Sequence, residues 1–153
     1  MRGLSLVRGA LLALVVVMLS GCGYNQIQSK DEATKAGWSE VLNQYKRRAD
    51  LIPNLVATVK GYAAHEAQVL TAVTEARAKV SQINVNADDA ASLAQYQAAQ
   101  GELSQALGRL MMVTEAYPNL KADQQFIGLQ TQLEGTENRV TVARGRYIQL
   151  VQD

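Results

Sequence analysis

The chain has 153 residues, enough for one domain with a single hydrophobic core, and carries 15 lysines and arginines against 14 acidic residues. This nearly neutral balance gives no support for nucleic-acid binding, which normally shows as a strong basic excess. Aromatic residues make up only 5% of the chain and prolines number two. Together with abundant alanine and glutamine, this composition favours an all-α domain.

The first 21 residues have the pattern of a signal peptide. Arg2 and Arg8 give a positive start, and the apolar run at 9–19 is shorter than the ~20 residues of a transmembrane helix. The segment LSGC at 19–22 resembles the lipobox of bacterial lipoproteins, in which cleavage precedes the cysteine and its thiol is lipidated. An ordinary signal peptide or a short uncleaved anchor with an incidental cysteine is the alternative. We predict a signal peptide at 1–21, lipid attachment at Cys22 and one domain over 22–153.

A lipoprotein signal also predicts where the domain works. Several acyl chains, each contributing about 0.8 kcal/mol per buried CH₂, make a durable anchor in the bacterial cell envelope, with the domain outside the cytoplasm. Gly23 lacks the acidic character of an inner-membrane retention signal. In a cell with two membranes we therefore expect the periplasmic face of the outer membrane.

The first half of the mature chain predicts two helices that meet at a corner. The first covers residues 24 to about 50, and the basic run 46–48 would complement the negative end of its dipole. Pro53 is tolerated in a first helical turn, so a second helix is predicted to start there and run to about Val85. Its apolar residues recur at steps of three and four if Glu66 fills one missing place. We expect Leu51, Ile52, Leu55 and Val59 to be core residues at the corner.

The second half predicts two more helices. Asp88 or Asp89 would cap the third, which ends at Pro118, and Asp123 would cap the fourth. Gly101 and Gly108, like Gly128 and Gly135, lie seven residues apart. These glycines either weaken two helices or let them approach closely. Four long helices joined by short turns predict an all-α fold, an antiparallel bundle.

Several segments of the chain resemble the LemA family. Trp38-Ser39 and KRRADLIPNLVATVKGYAAHE at 46–66 look like the family's signature. The segments EARA at 75–78, LSQALGRL at 103–110, EAYPNLKA at 115–122 and TENR at 136–139 follow in the family's order and spacing. The resemblance implies an all-helical, membrane-anchored envelope protein whose biochemical activity is not established. Many members begin with a transmembrane helix, whereas this chain has a lipobox-like cysteine.

Polar residues on the helices are candidates for a network or an interaction site. Glu66 occupies a seam position, where a buried carboxylate needs a cation, a hydrogen-bond donor or a proton. It is expected to pair with Arg109 or Arg139, or else to face a ligand. The basic run is either a helix end or a partner site, and TENR suggests an interhelical network rather than a catalytic group. The candidates are Arg47, Arg48, Asn54, Glu66, Arg109, Glu137, Asn138 and Arg139.

The residue types do not favour an enzyme. His65 is the only histidine, and the position four residues later is Val69, so a helical zinc-protease site is excluded. No metal, cofactor or catalytic residue is predicted. We expect a non-enzymatic, lipid-anchored bundle that interacts with an unidentified envelope protein, with no nucleic-acid partner. The alternative is a binding module that holds a small ligand between helices near Glu66.

Overall fold

The protein is built from helices. The computed structural model describes the backbone of residues 2–87 and 89–152 and the side chains of residues 25–87 and 89–152. Five helices and no strand occur in these ranges: α1 Arg2–Tyr62, α2 Ala67–Gln82, α3 Ala90–Thr114, α4 Pro118–Lys121 and α5 Gln124–Gln152. The all-α class is therefore confirmed. The side chain of Cys22 and the prediction for Asp88 lie outside the described residues.

The first helix does not end at the corner that the sequence predicts. α1 continues through Pro53 to Tyr62, so the predicted end near Asp50 and the new helix at Pro53 are wrong. Proline has no N–H and cannot bond the carbonyl four residues earlier, here Ala49. The Nε–H of Arg77, on α2, donates to this carbonyl at 2.8 Å. A side chain from a second helix thus supplies the missing donor, and the helix passes through the proline.

The chain turns ten residues later. Residues 63–66 separate α1 from α2, and the turn is closed by a hydrogen bond from the Glu66 N–H to the Ala63 carbonyl at 3.0 Å. Ala63 is fully buried, so the turn packs around a small side chain. α2 then ends at Gln82, before the predicted Val85.

Aspartates begin the helices of the second half, as predicted. The Asp89 side chain accepts a hydrogen bond from the Ala91 N–H at 3.0 Å and caps α3. Asp123 Oδ1 accepts from the Phe126 N–H at 2.9 Å and caps α5. Pro118 opens the short helix α4 instead of only ending α3, since its missing N–H costs nothing at a first helical position.

Contacts define how the helices pair. The Trp38 and Tyr147 rings have centroids 5.1 Å apart, and the Tyr62 hydroxyl donates a hydrogen bond to Asp123. The middle of α1 thus contacts a late residue of α5 and the end of α1 contacts the start of α5, so the two helices run in opposite directions. The Tyr45 and Tyr96 rings meet edge to face at 5.6 Å, which brings α3 against the same helix α1. Lys79 and Glu102 join α2 to α3.

Most of the predicted core residues are buried. Ile52, Leu55 and Val59 are buried and Leu51 packs partly exposed against them. The core also includes Trp38, Val41, Val73, Leu103, Leu110, Leu120, Phe126, Leu133 and Val140. Tyr62, the last residue of α1, lies outside this core with 43% of its surface exposed.

Close helix approach occurs at a glycine other than those predicted. A Cβ on Gly37 would lie 2.7 Å from Leu150 Cδ1, so this glycine gives α5 room beside α1. A Cβ on Gly101, Gly108 or Gly128 would meet nothing within 4 Å, and one on Gly135 would meet only the end of Arg139. The suggestion that these four allow close packing is therefore wrong.

Candidate functional site

Arg48 is the most deeply buried charged side chain among the described residues, with 1% of its surface exposed. It lies on α1 at the three-four spacing that links Tyr45 to Ile52, so the helix turns it inward with the core. Arg47 beside it is exposed. The prediction that the basic run ends a helix is wrong, because α1 continues for more than three turns beyond it.

Partners from two other helices surround the Arg48 guanidinium. Nη1 donates to Glu137 Oε1 of α5 at 2.5 Å and to Ser104 Oγ of α3 at 3.0 Å. Nη2 donates to the Gln100 carbonyl at 3.3 Å and to Gln100 Oε1. The guanidinium carbon also lies 5.3 Å from the centre of the Tyr45 ring. These contacts compensate the buried charge and tie α1, α3 and α5 together.

The network leaves buried donors without partners. Arg48 Nε and Gln100 Nε2 are covered by protein and make no hydrogen bond, although Gln100 is only 3% exposed. Burial raises the pKa of the nearby Tyr96 hydroxyl. The adjacent Gln100 amide and the positive charge of Arg48 offset part of that rise. An unpaired buried donor is costly, so such groups point to strain or to a binding role.

A groove of about 410 Å³ lies over this network. Gln97 and Gly101 of α3 form one wall, Thr141 and Gly145 of α5 form the other, and Arg48 lies at the base. Apolar surface comes from Tyr45, Val140 and Ile148, and Arg144 also lines the groove. The groove thus combines an apolar wall with donors and two guanidinium groups.

The structure brings only some of the predicted residues to this site. Arg48 and Glu137 meet, whereas Asn138 and Arg139 line a different groove, between α5 and Glu40 and Gln44 of α1. The reason is the helical repeat, since adjacent residues on α5 face different sides. Asn54 is exposed, and Arg109 lies in a third groove, with Lys79 and Glu102 among its lining residues.

Glu66 lies elsewhere than predicted. It precedes α2 in the turn, and its Oε1 accepts a hydrogen bond from the Tyr117 hydroxyl at 2.9 Å. The seam position and the ion pair with Arg109 or Arg139 are therefore wrong, because α1 ends before Glu66. Of the three ways to compensate this carboxylate, the structure shows a hydrogen-bond donor. This bond and the Glu66 carboxylate raise the pKa of Tyr117.

A second tyrosine–carboxylate pair lies at the same end of the molecule. The Tyr62 hydroxyl donates to Asp123 Oδ2 at 2.7 Å. This bond, helped by the Phe126 N–H, holds the pKa of Asp123 below its usual 3.8, and Asp123 in turn raises the pKa of Tyr62. The two pairs connect the turn at 63–66 with α4 and the start of α5.

Neither a metal centre nor a membrane span appears in the parts of the chain that the structure describes. His65 is exposed in the turn, and no group of three or more potential ligands comes together among the described side chains. Within the same limits, no helix is long and apolar enough to cross a bilayer.

Sequence reasoning missed four contributors to these sites. Gln100, Ser104, Tyr96 and Tyr117 are not among the candidates that the sequence suggests. Gln100 did carry a signal, because it fills a gap in the apolar stripe of α3 and a polar residue there must find buried partners. Its partner, Arg48, fills the equivalent position in the stripe of α1.

The fold and these sites define an all-helical protein with a buried arginine network. The model of the LemA family matches residues 37–153, which includes that network and both tyrosine–carboxylate pairs. The chain belongs to the LemA family. Membership suggests a membrane-associated protein without an established activity. No protein of curated function matches the chain significantly.

Proposed function

We propose that this LemA family protein is a lipid-anchored, non-enzymatic interaction protein of the bacterial envelope. Its helices form an antiparallel bundle, and Cys22 carries the lipid. The domain lies outside the cytoplasm, at the periplasmic face of the outer membrane where a cell has two membranes. There it presents a surface to an envelope protein partner.

The observation that carries this proposal is the continuity of α1. The helix runs from Arg2 to Tyr62 and contains both the lipobox-like segment and the buried stripe of the domain. From Cys22 to Tyr62 a straight helix spans about 60 Å at ~1.5 Å per residue. An anchor at Cys22 would therefore be joined to the domain by helix and not by a flexible linker.

Exposed apolar side chains at the far end of α1 support a partner surface there. Tyr62 is bonded to Asp123, and Ile127 follows Asp123 by one helical turn, with 41% of its surface exposed. The region is furthest from the proposed anchor.

Lipid labelling combined with crosslinking tests the proposal in cells. Cys22→Ser should abolish palmitate labelling and move the protein out of the membrane fraction, whereas Ser29→Ala, a control outside the lipobox, should change neither. A photocrosslinker at Ile127 should capture an envelope protein, and Cys22→Ser should lose that adduct. Labelling that survives Cys22→Ser would refute the anchor. If a photocrosslinker at Ala98, an exposed control position on α3, gives the same adduct as abundantly as one at Ile127, the proposed partner surface is refuted.

A further inference from the structure

The groove between α3 and α5 has the dimensions of a ligand site. Its volume, about 410 Å³, falls within the range of roughly 300–1,000 Å³ that small-molecule sites occupy. Glycines keep it open, since a Cβ on Gly101 or on Gly145 would meet nothing within 4 Å. The groove is therefore bounded by backbone at two places where a side chain would otherwise fill it.

The unused hydrogen-bonding capacity at the base of the groove is that of donors. Arg48 uses both Nη atoms, but its Nε–H has no acceptor, and the amide nitrogen of Gln100 has none. Guanidinium and amide nitrogens can only donate. The chemical group that satisfies them must be an acceptor, and a charged oxygen forms the strongest such bonds.

The charges that line the groove also favour an anion. Arg48 and Arg144 face one carboxylate, Glu137, which leaves a net positive charge. The two partners differ in exposure: 45% of the Glu137 side chain is accessible to solvent, whereas only 2% of the Arg48 side chain is. The carboxylate can therefore be solvated if it turns outward, whereas the guanidinium stays buried and needs another acceptor in its place.

We propose that this groove binds a small anionic ligand, whose carboxylate or phosphate group accepts hydrogen bonds from Arg48 and Gln100 and pairs with Arg144. In the unliganded protein, the Glu137 carboxylate is paired with the Arg48 guanidinium. On binding, that carboxylate turns outward and frees the Arg48 Nη1 group for the ligand. The apolar body of the ligand packs between Tyr45, Val140 and Ile148.

Calorimetric titration of the full-length chain in uncharged maltoside micelles tests this site. The probes are inorganic phosphate, acetate and glycerol phosphate, with phosphatidylglycerol added to the micelles in a separate arm. Saturable binding of at least one probe is expected. Tight binding confined to phosphatidylglycerol identifies a lipid headgroup, and tight binding of a soluble probe identifies a free anion.

Variants separate binding from folding. Gly145→Leu should fill the groove and weaken binding by at least about tenfold. Since it replaces a helical glycine, it should fold at least as well as the parent. Gly108→Leu, on the exposed side of α3 and outside the groove, should bind as the parent does. Glu137→Gln removes the competing carboxylate and should tighten binding several-fold, whereas Arg144→Gln should weaken it.

Two results would overturn the proposal. One is the failure of every probe to bind saturably to the folded parent protein. The other is binding that Gly145→Leu leaves unchanged while circular dichroism shows that variant to be folded. Because Cys22 is untouched in all these variants, the outcome is independent of lipid anchoring.

Discussion

Arg48 shows how one buried charge organises its surroundings. Its charge is compensated by Glu137, and its remaining bonds go to Gln100 and Ser104. Burial of an ion pair is weak evidence of added stability, because removal from water costs several kcal/mol per ion. Loss of one partner is different, since it leaves the other charge buried and unpaired.

Glu137→Gln is therefore expected to destabilise the unliganded protein. The free energy of unfolding should fall by about 1.5–3 kcal/mol, the range for a hydrogen bond to a charged group. We use this range and not that of a fully buried ion pair, because the Glu137 side chain is about half exposed. Glu102→Gln is the matched control. It breaks the exposed pair with Lys79, where both side chains are about half accessible, and should cost less than about 1 kcal/mol. Urea unfolding at neutral pH measures both, and equal losses would contradict this role of Arg48.

The sequence contained a signal for the burial of Arg48. Trp38, Val41, Tyr45, Arg48, Ile52, Leu55 and Val59 follow one another at alternating steps of three and four. The stripe does not shift phase at Arg48 or at Pro53. A charged residue in the middle of an unbroken apolar stripe must be buried with partners, but the stripe alone cannot say which residues of α3 and α5 provide them.

At the level of the helix, Pro53 is the feature that sequence rules misjudge. Proline in a helix interior costs about 3 kcal/mol or more, so a break is the reasonable expectation from local sequence. The apolar stripe from Trp38 to Val59 instead continues without a change of phase through Pro53, as expected for one continuous helix. The deciding contact, from Arg77 to the Ala49 carbonyl, joins residues 28 apart, and no local pattern reports it.

Arg77→Met should reveal this contact. The variant leaves the Ala49 carbonyl without a donor and should lower the free energy of unfolding by about 1–3 kcal/mol. In the Pro53→Ala background the loss should be clearly smaller, because a backbone N–H at position 53 then reaches the same carbonyl. Arg109→Met, on an exposed arginine, should change stability by less than about 0.5 kcal/mol. If Arg77→Met costs the same in both backgrounds, Arg77 does not substitute for the missing N–H.

Across the whole molecule, the two tyrosine–carboxylate pairs close the end remote from the N-terminus. Tyr117 reaches from the segment before α4 to Glu66, and Tyr62 reaches from α1 to the cap of α5. Asp123 has a double role, since its side chain accepts hydrogen bonds from both the Tyr62 hydroxyl and the Phe126 N–H of α5. Its ionised form is therefore the one that the fold favours.

Acid should weaken the fold through Asp123. Its pKa is lower in the folded protein than the usual 3.8, so its contribution is present above that value and is lost as the pH falls through the folded pKa. Asp123→Asn should reduce stability at pH 7 and flatten the fall in stability below about pH 4. Thermal unfolding between pH 2 and 7 measures this. Tyr62→Phe should produce a smaller change in the same direction, and an undiminished acid slope in Asp123→Asn would disprove the assignment.

The sequence predicted the helical class, most core residues and both aspartate caps, because each depends on periodicity or on residues within one turn. It misplaced the boundary between the first two helices and the environment of Glu66, which followed from that boundary. The candidate site was half predicted. Arg48 and Glu137 were among the candidates, but their pairing depends on how α1 and α5 lie against each other.

The contact between Arg77 and Ala49 also bears on the order of folding. The Ala49 carbonyl obtains its partner only after the chain has turned at residues 63–66 and α2 has docked. Before that contact forms, the helix has no donor for this carbonyl, because Pro53 lacks an N–H. We therefore expect the segment around Pro53 to gain its full helical stability only when α2 packs against it, and amide hydrogen exchange on either side of Pro53 should be faster in Arg77→Met than in the parent protein.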